Sequence, residues 1–448
     1  MKAFNPVLGL NVHAASKQLG RVMTRLVPLS PLFVTAGILL AGNGVLQSWV
    51  PLRAAAEGFS ALEIGLLGTG YFLGFLVACF YVPRLLGWVG HIRAFSALAA
   101  IAAAVTLLLY MYVEPYFWIA MRALTGFCIS GLFTICESWI NSKSEQSDRA
   151  RVLSIYRIID LGAVSGAQFA IPAFGIGNDK LFAFVALFIC LSLVPIAVAD
   201  QTKPKPPNKF TFDIRALLKL APSACFGVFI IGMSTSSFRS IGPVFAENVG
   251  LSETGIAAFM SIGILGGFVS QYPFGLLSDV VDRRVALMIG TAGAVASGCI
   301  VAMIAGAGPM VLFAGSFLFG AFAMPLYSLA TAHANDRANA DQYVLVAAGM
   351  MFFFSVGASI GPLFAALIMD AFGDRYMFVY IAVVHSTLFI AALARILVRP
   401  QVPRDARTAY VPLLRTSPVF AKYGRADGGE NDQTTIKDRT RQSASDGD

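Results

Sequence analysis

The 448 residues are 57% hydrophobic and 13% charged, with a mean hydropathy of +0.71. A water-soluble domain would have to hide nearly all of that surface, so the solvent the chain implies is lipid. The net charge of +8 does not indicate nucleic acid, because the basic residues lie in loops and tails rather than on one compact face.

A helix crossing the hydrocarbon core needs about 20 apolar residues, and the chain offers twelve such stretches. They fall near 31–52, 61–82, 93–112, 116–140, 152–173, 181–199, 217–243, 254–277, 284–306, 309–332, 343–369 and 376–398. The runs are continuously apolar rather than alternating, which excludes a barrel and predicts an all-α polytopic membrane protein. Residues 1–30 read as a cytosolic N-terminal segment, where Lys17, Arg21 and Arg25 recur every four residues and would form a basic stripe on a helix. The first apolar run, Leu32 to Trp49, lacks a small-residue cleavage site and is expected to stay in the membrane. Residues 31–199 then hold six spans. The Pro- and Lys-rich segment Gln201 to Asn208 lies in a cytosolic linker over 200–216, and 217–398 hold six more. The polar residues 399–448 read as a disordered cytosolic tail.

Twelve crossings put both termini on one side. That side collects Arg84, Arg93, Lys143, Arg149, Arg151, Arg283, Arg284 and Arg337 besides the basic residues of the linker and N-terminal segment, whereas the opposite loops hold Arg53, Lys180 and Arg375. The bias predicts cytosolic termini. The six cysteines sit singly in apolar runs and the four histidines are scattered, so they read as small buried hydrophobes and isolated rings. No metal or cofactor is expected, no phosphate-cradling loop is present, and an enzyme is not indicated.

The two sets of six spans resemble each other. Pro51, Gly58 and Ser60 recur 192 residues later as Pro243, Gly250 and Ser252, and the string Gly70 to Phe75 recurs 193 residues later as Gly263 to Phe268. Gly126 matches Gly320, Gly162 and Gly166 match Gly357 and Gly361, and Ala173-Phe174-Gly175 matches Ala371-Phe372-Gly373. Six spans per repeat means the copies enter the membrane in the same direction, the arrangement of transporters whose site lies between two parallel halves.

Against that frame, the loop Gly275-Leu-Leu-Ser-Asp279-Val-Val-Asp-Arg283-Arg284 resembles the signature of the major facilitator superfamily. Arg122-Ala-Leu-Thr-Gly126 and Gly357-Ala-Ser-Ile-Gly361-Pro362 are similar to two further motifs of that superfamily. More closely, Arg122 through Glu137-Ser138-Trp139 to Tyr156, Gly166-Ala-Gln168 and Gln271-Tyr-Pro-Phe-Gly275 look like its YcaD-type bacterial branch. The resemblance implies transport of a small solute driven by an ion gradient across a bacterial inner membrane. It also implies that Gly275, Asp279, Arg283 and Arg284 form a gating loop that latches one closed conformation. The corresponding first-half loop, Val82 to Arg93, lacks the acidic residue, so symmetrical gating contacts are not expected.

Charges inside the spans are the sharpest functional signal, since each costs at least about 2.5 kcal/mol at the bilayer centre. Asp160 would sit roughly 12 Å along its helix, with Arg157 three residues earlier on the same face. Glu137, near the end of the neighbouring span, could join them. Asp160 or Glu137 would carry a coupling proton, with Arg157 and Arg122 setting its affinity, or the group is a permanent structural ion pair. Arg122 and Arg239 would suit an anionic group on the solute, and Asn43, Gln47 and Thr235 also point polar groups to the midline, where helix-to-helix hydrogen bonding competes. The expected activity is proton-coupled transport of a small organic solute by a monomer. A passive facilitator and a non-transporting sensor on the same scaffold are the alternatives.

Overall fold

The computed structural model describes residues 27–144, 149–198, 213–339 and 342–398. The basic stripe, the Gln201 to Asn208 linker and the polar tail lie outside them. Among the described residues every regular element is a helix. In chain order they are α1 (Ser30–Ala56), α2 (Ala61–Val89), α3 (His91–Met111), α4 (Pro115–Lys143), α5 (Arg149–Ala167), α6 (Ala170–Phe174), α7 (Lys180–Leu191), α8 (Leu193–Val198), α9 (Ile214–Leu220), α10 (Pro222–Asn248), α11 (Glu253–Val280), α12 (Arg283–Met303), α13 (Pro309–Ala323), α14 (Leu326–Asn335), α15 (Tyr343–Phe372) and α16 (Tyr376–Val398).

Eleven stretches of the described chain are long and apolar enough to cross a bilayer. The twelfth crossing is α5 followed by α6, whose apolar content is diluted by Arg157, Asp160 and Gln168. Three expected spans are each two helices rather than one, and proline accounts for the breaks. Pro172 and Pro195 each lie four residues after the residue at which the preceding helix turns or stops, Gln168 and Leu191, and Pro325 lies two residues beyond Ala323, the last residue of α13. A proline lacks the N–H for the i−4 carbonyl and its ring crowds that group.

The internal repeat is visible in the backbone. Ser60 and Ser252 cap α2 and α11 by accepting from the N–H three residues on. Gly58 and Gly250, ahead of these caps, both have positive φ, +81° and +87°, a region closed to most side chains. Helix crossings match as well. A Cβ on Gly126 would fall 1.9 Å from the Tyr71 carbonyl oxygen, and one on Gly320 would fall 1.8 Å from that of Gly263. Tyr71 is therefore the counterpart of Gly263, an offset of 192 residues. The string match at 193 is one residue out of register, because Gly126 and Gly320 select the carbonyl they pack on, not the letters around it. Elsewhere the copies differ: Gly357 and Gly361 press on the Phe229 and Met233 carbonyls of α10, whereas Gly162 and Gly166 face open space.

Between the halves α2 packs along α15, α5 along α11 and α1 along α10. The repeat exchanges the first two pairs and maps the third onto itself, which is the signature of a pseudo-twofold axis. We call the side where α1 begins and α16 ends the termini face and the other the far face. Exposed aromatic residues mark both levels, Tyr81 and Trp88 toward the termini face and Tyr110, Tyr112 and Tyr116 toward the far face, as in interfacial belts. Cys128, Cys136 and Cys225 are buried, but Cys190 and Cys299 are exposed. The expectation that all six are buried fails for those two, which face outward where an apolar thiol meets lipid without cost.

A candidate solute site between the halves

The axis passes a cavity of about 90 Å³ lined by both halves, room for a few waters. α1 supplies Asn43 and Gln47, α2 supplies Tyr71, Phe72 and Phe75, α5 supplies Arg157 and Asp160, and α10 supplies Thr235, Ser236 and Arg239. Phe354 of α15 and Gly267 and Phe268 of α11 complete the second half's wall.

The cavity's ends are closed differently. On the far-face side α2 and α15 approach closely: Thr69 Oγ1 donates to the Ser359 carbonyl at 2.6 Å, and a Cβ on Gly68 would lie 2.7 Å from Pro362 Cβ. Ser261 donates to the Ser165 carbonyl at 2.8 Å, and the Ile176 N–H donates to Glu253 at 3.0 Å, joining α5 and the following loop to α11. On the termini side Phe80 of α2 meets Phe352 of α15 edge-on, with ring centroids 6.1 Å apart.

Within the cavity, Arg157 Nη1 lies 3.1 Å from Asp160 Oδ2, both side chains partly exposed to the space. Arg122 of α4 stands behind the lining and is 1% exposed. Its Nη2 donates to Gln47 Oε1 at 2.6 Å, and its guanidinium lies 4.7 Å from the centre of the Tyr71 ring. The Tyr71 hydroxyl donates to Asn43 Oδ1 at 3.0 Å. Four residues from three helices thus form one layer, with the cation over the negative face of the ring. Arg122 Nε and Nη1 are buried without a hydrogen-bond partner among the described residues.

The structure thus brings together Asn43, Gln47, Thr235, Arg239, Arg157 and Asp160, with Arg122 one layer back. Asn43 bonds across helices as expected, but Thr235 does not: its hydroxyl donates to the Ile231 carbonyl of its own helix at 2.7 Å. Glu137 is fully buried, does not line the cavity, and accepts from the Tyr156 hydroxyl at 3.3 Å. Tyr156, not Arg157, is the side chain α5 turns toward it. The signature loop lies at the termini face. Arg283 is within 3.9 Å of Asp279, which is largely exposed, and it also pairs with buried Asp336 at the end of α14. Arg284 turns to Asp282 at 2.7 Å. Gly275, in the last turns of α11, is buried.

Sequence reasoning missed Tyr71, Asp336, and a hydrogen bond of 2.7 Å between buried Ser234 and His385. Asp336 carried a readable signal, an acid at the termini end of a span. Tyr71 and His385 carried none, since an aromatic ring in an apolar run reads as packing.

Comparison with known proteins agrees with this architecture. The model of the Major Facilitator Superfamily matches residues 32–221 and 224–424. The uncharacterized MFS-type transporter YcaD of Escherichia fergusonii is 25% identical over 372 residues, 81% of this chain and 95% of that protein. YcaD of Escherichia coli O139:H28 is 24% identical over 368 residues, with 81% and 95% covered. Among solved structures, the nucleoside transporter NupG superposes with a TM-score of 0.71 at 10% identity, covering 82% of this chain and 99% of that one. The fucose:proton symporter FucP of E. coli does so with 0.54 at 14%, covering 83% and 98%. With the family model spanning both halves and the fold shared with solved transporters, the chain belongs to the Major Facilitator Superfamily and is a multi-pass membrane transporter.

Proposed function

We propose that the chain is a secondary active transporter of a small organic solute, coupled to protons, whose two halves expose the central cavity to each side in turn. The observation that carries this reading is the placement of Arg157 and Asp160. A carboxylate and its partner stand in the wall of the cavity between the halves, where opening to one side or the other changes the water around them and so the proton affinity of Asp160. One chain supplies both walls, so a monomer suffices. The positive charge gathered at the termini face supports cytosolic termini in a bacterial inner membrane. Arg53, on the far face, is moreover neutralised by Asp179 at 3.0 Å and by Glu57.

In proteoliposomes with an inward proton gradient, uphill uptake of a transported solute should be lost in Asp160→Asn while solute exchange survives. Uphill uptake equal to wild type would remove Asp160 from the coupling. Flux indifferent to the gradient in the wild type would instead indicate a passive facilitator braced by the ion pair.

A further inference from the structure

The interior of the first half and its facing wall hold three arginines near the cavity and one lining carboxylate. Asp160 pairs directly with Arg157 and attracts Arg239 only at longer range. Neither Arg122 nor Arg239 has an ion-pair partner within 4.0 Å among the described residues. Glu137 does not serve Arg122, because fifteen residues along α4 separate the two by about 22 Å. Burying a cation without a partner costs several kcal/mol, and membrane helices keep such charges where a ligand or pathway uses them.

Geometry says where the counter-charge belongs. Arg239 lines the cavity, on the helix that faces α1 across the axis. Arg122 reaches the same space through Gln47 and Tyr71, both of which line it, and its Nε and Nη1 have no hydrogen-bond acceptor. Cations thus stand on either side of one small polar space, one from each half.

We propose that the solute carries a carboxylate or another compact single negative charge, seated between Arg239 and the Arg122–Gln47 pair. The anion bridges the two halves and offsets one of the two positive charges that the protein's own side chains leave open. Aromatic Phe72, Phe75 and Phe354 beside it suit an apolar remainder of the solute.

The inference rests on the transport reading only for calling the anion a solute, and its test is an equilibrium measurement that needs no flux. Full-length protein in lipid nanodiscs is heated in increasing sodium formate, the smallest carboxylate, and separately in its uncharged analogue formamide. Formate should raise the unfolding midpoint saturably by about 3 °C or more, formamide should not, and Arg239→Gln should abolish the rise. Arg239→Lys, which keeps the charge but not the fork, should keep a weaker one. No rise in the wild type, or a rise equally produced by formamide or equally present in Arg239→Gln, would overturn the anion site. That result would leave transport of a neutral or cationic solute open, whereas absence of any flux would leave the anion site standing.

Discussion

Arg283 and Asp336 are buried side by side near the termini face, at 2% and 3% exposure, while Asp279, which also faces Arg283, is 46% exposed. Removing one member of a buried pair strands the other charge and costs about 3 kcal/mol, whereas an exposed ion pair contributes under about 1 kcal/mol. Asp336→Asn should therefore lower the thermal midpoint of the protein in nanodiscs far more than Asp279→Asn does; equal losses would show that the buried contact is not what holds α12 to α14. The intramembrane charges were readable in the sequence, because a charge in an apolar run is visible by its cost. Their partners were less so. Arg157 and Asp160 share one helix face and follow from spacing, but Arg283 meets an acid 53 residues away, and Arg122 rests on a tyrosine of another helix. Such pairings depend on how helices cross, which no local pattern records.

Helices approach most closely where glycine removes a side chain. Gly126 lets α4 lie against the Tyr71 carbonyl of α2, and it also holds Tyr71 under Arg122. Gly126→Val would force the helices apart, since its Cβ would overlap that oxygen at 1.9 Å, and we expect loss of folded protein on size-exclusion chromatography. Gly68 tests something else. Its near neighbours are Pro362 and Ser240 of the other half, so Gly68→Val should spare folding and weaken the far-face seal. A single cysteine placed at Ser236 in the cavity should then react at least several-fold faster with a thiol reagent applied from that side; unchanged labelling would mean the α2–α15 contact is not a seal. The spans were legible at this scale from hydropathy alone, and the repeat from glycines and caps. The breaks within three spans were not expected, although Pro172, Pro195 and Pro325 were in view, because prolines inside α1, α2, α10, α11 and α15 leave those helices continuous.

At the scale of the molecule, two six-helix halves close on a cavity, with tight glycine-mediated helix contact toward one face and the Phe80–Phe352 ring contact toward the other. The unequal seals predict that the termini side opens with less rearrangement. Phe80→Ala should therefore increase labelling of the Ser236 position from the termini side while leaving the far side unchanged. If the solute is a monoanion that travels with one proton on Asp160, loaded and empty cavities carry the same charge. Uptake should then follow a pH gradient and ignore a potassium-diffusion potential, and a flux that scales with the potential would contradict that pairing. The measurement that bears most directly on the whole account is two-sided access. In a background without the six native cysteines, Ser236→Cys should be labelled by a membrane-impermeant reagent from either side of the membrane. Joining Thr69→Cys to Ser359→Cys by a short crosslinker should abolish labelling from the far face alone, reversibly on cleavage of the link. Labelling from only one side in the unlinked protein, under every solute and pH condition, would contradict alternating access.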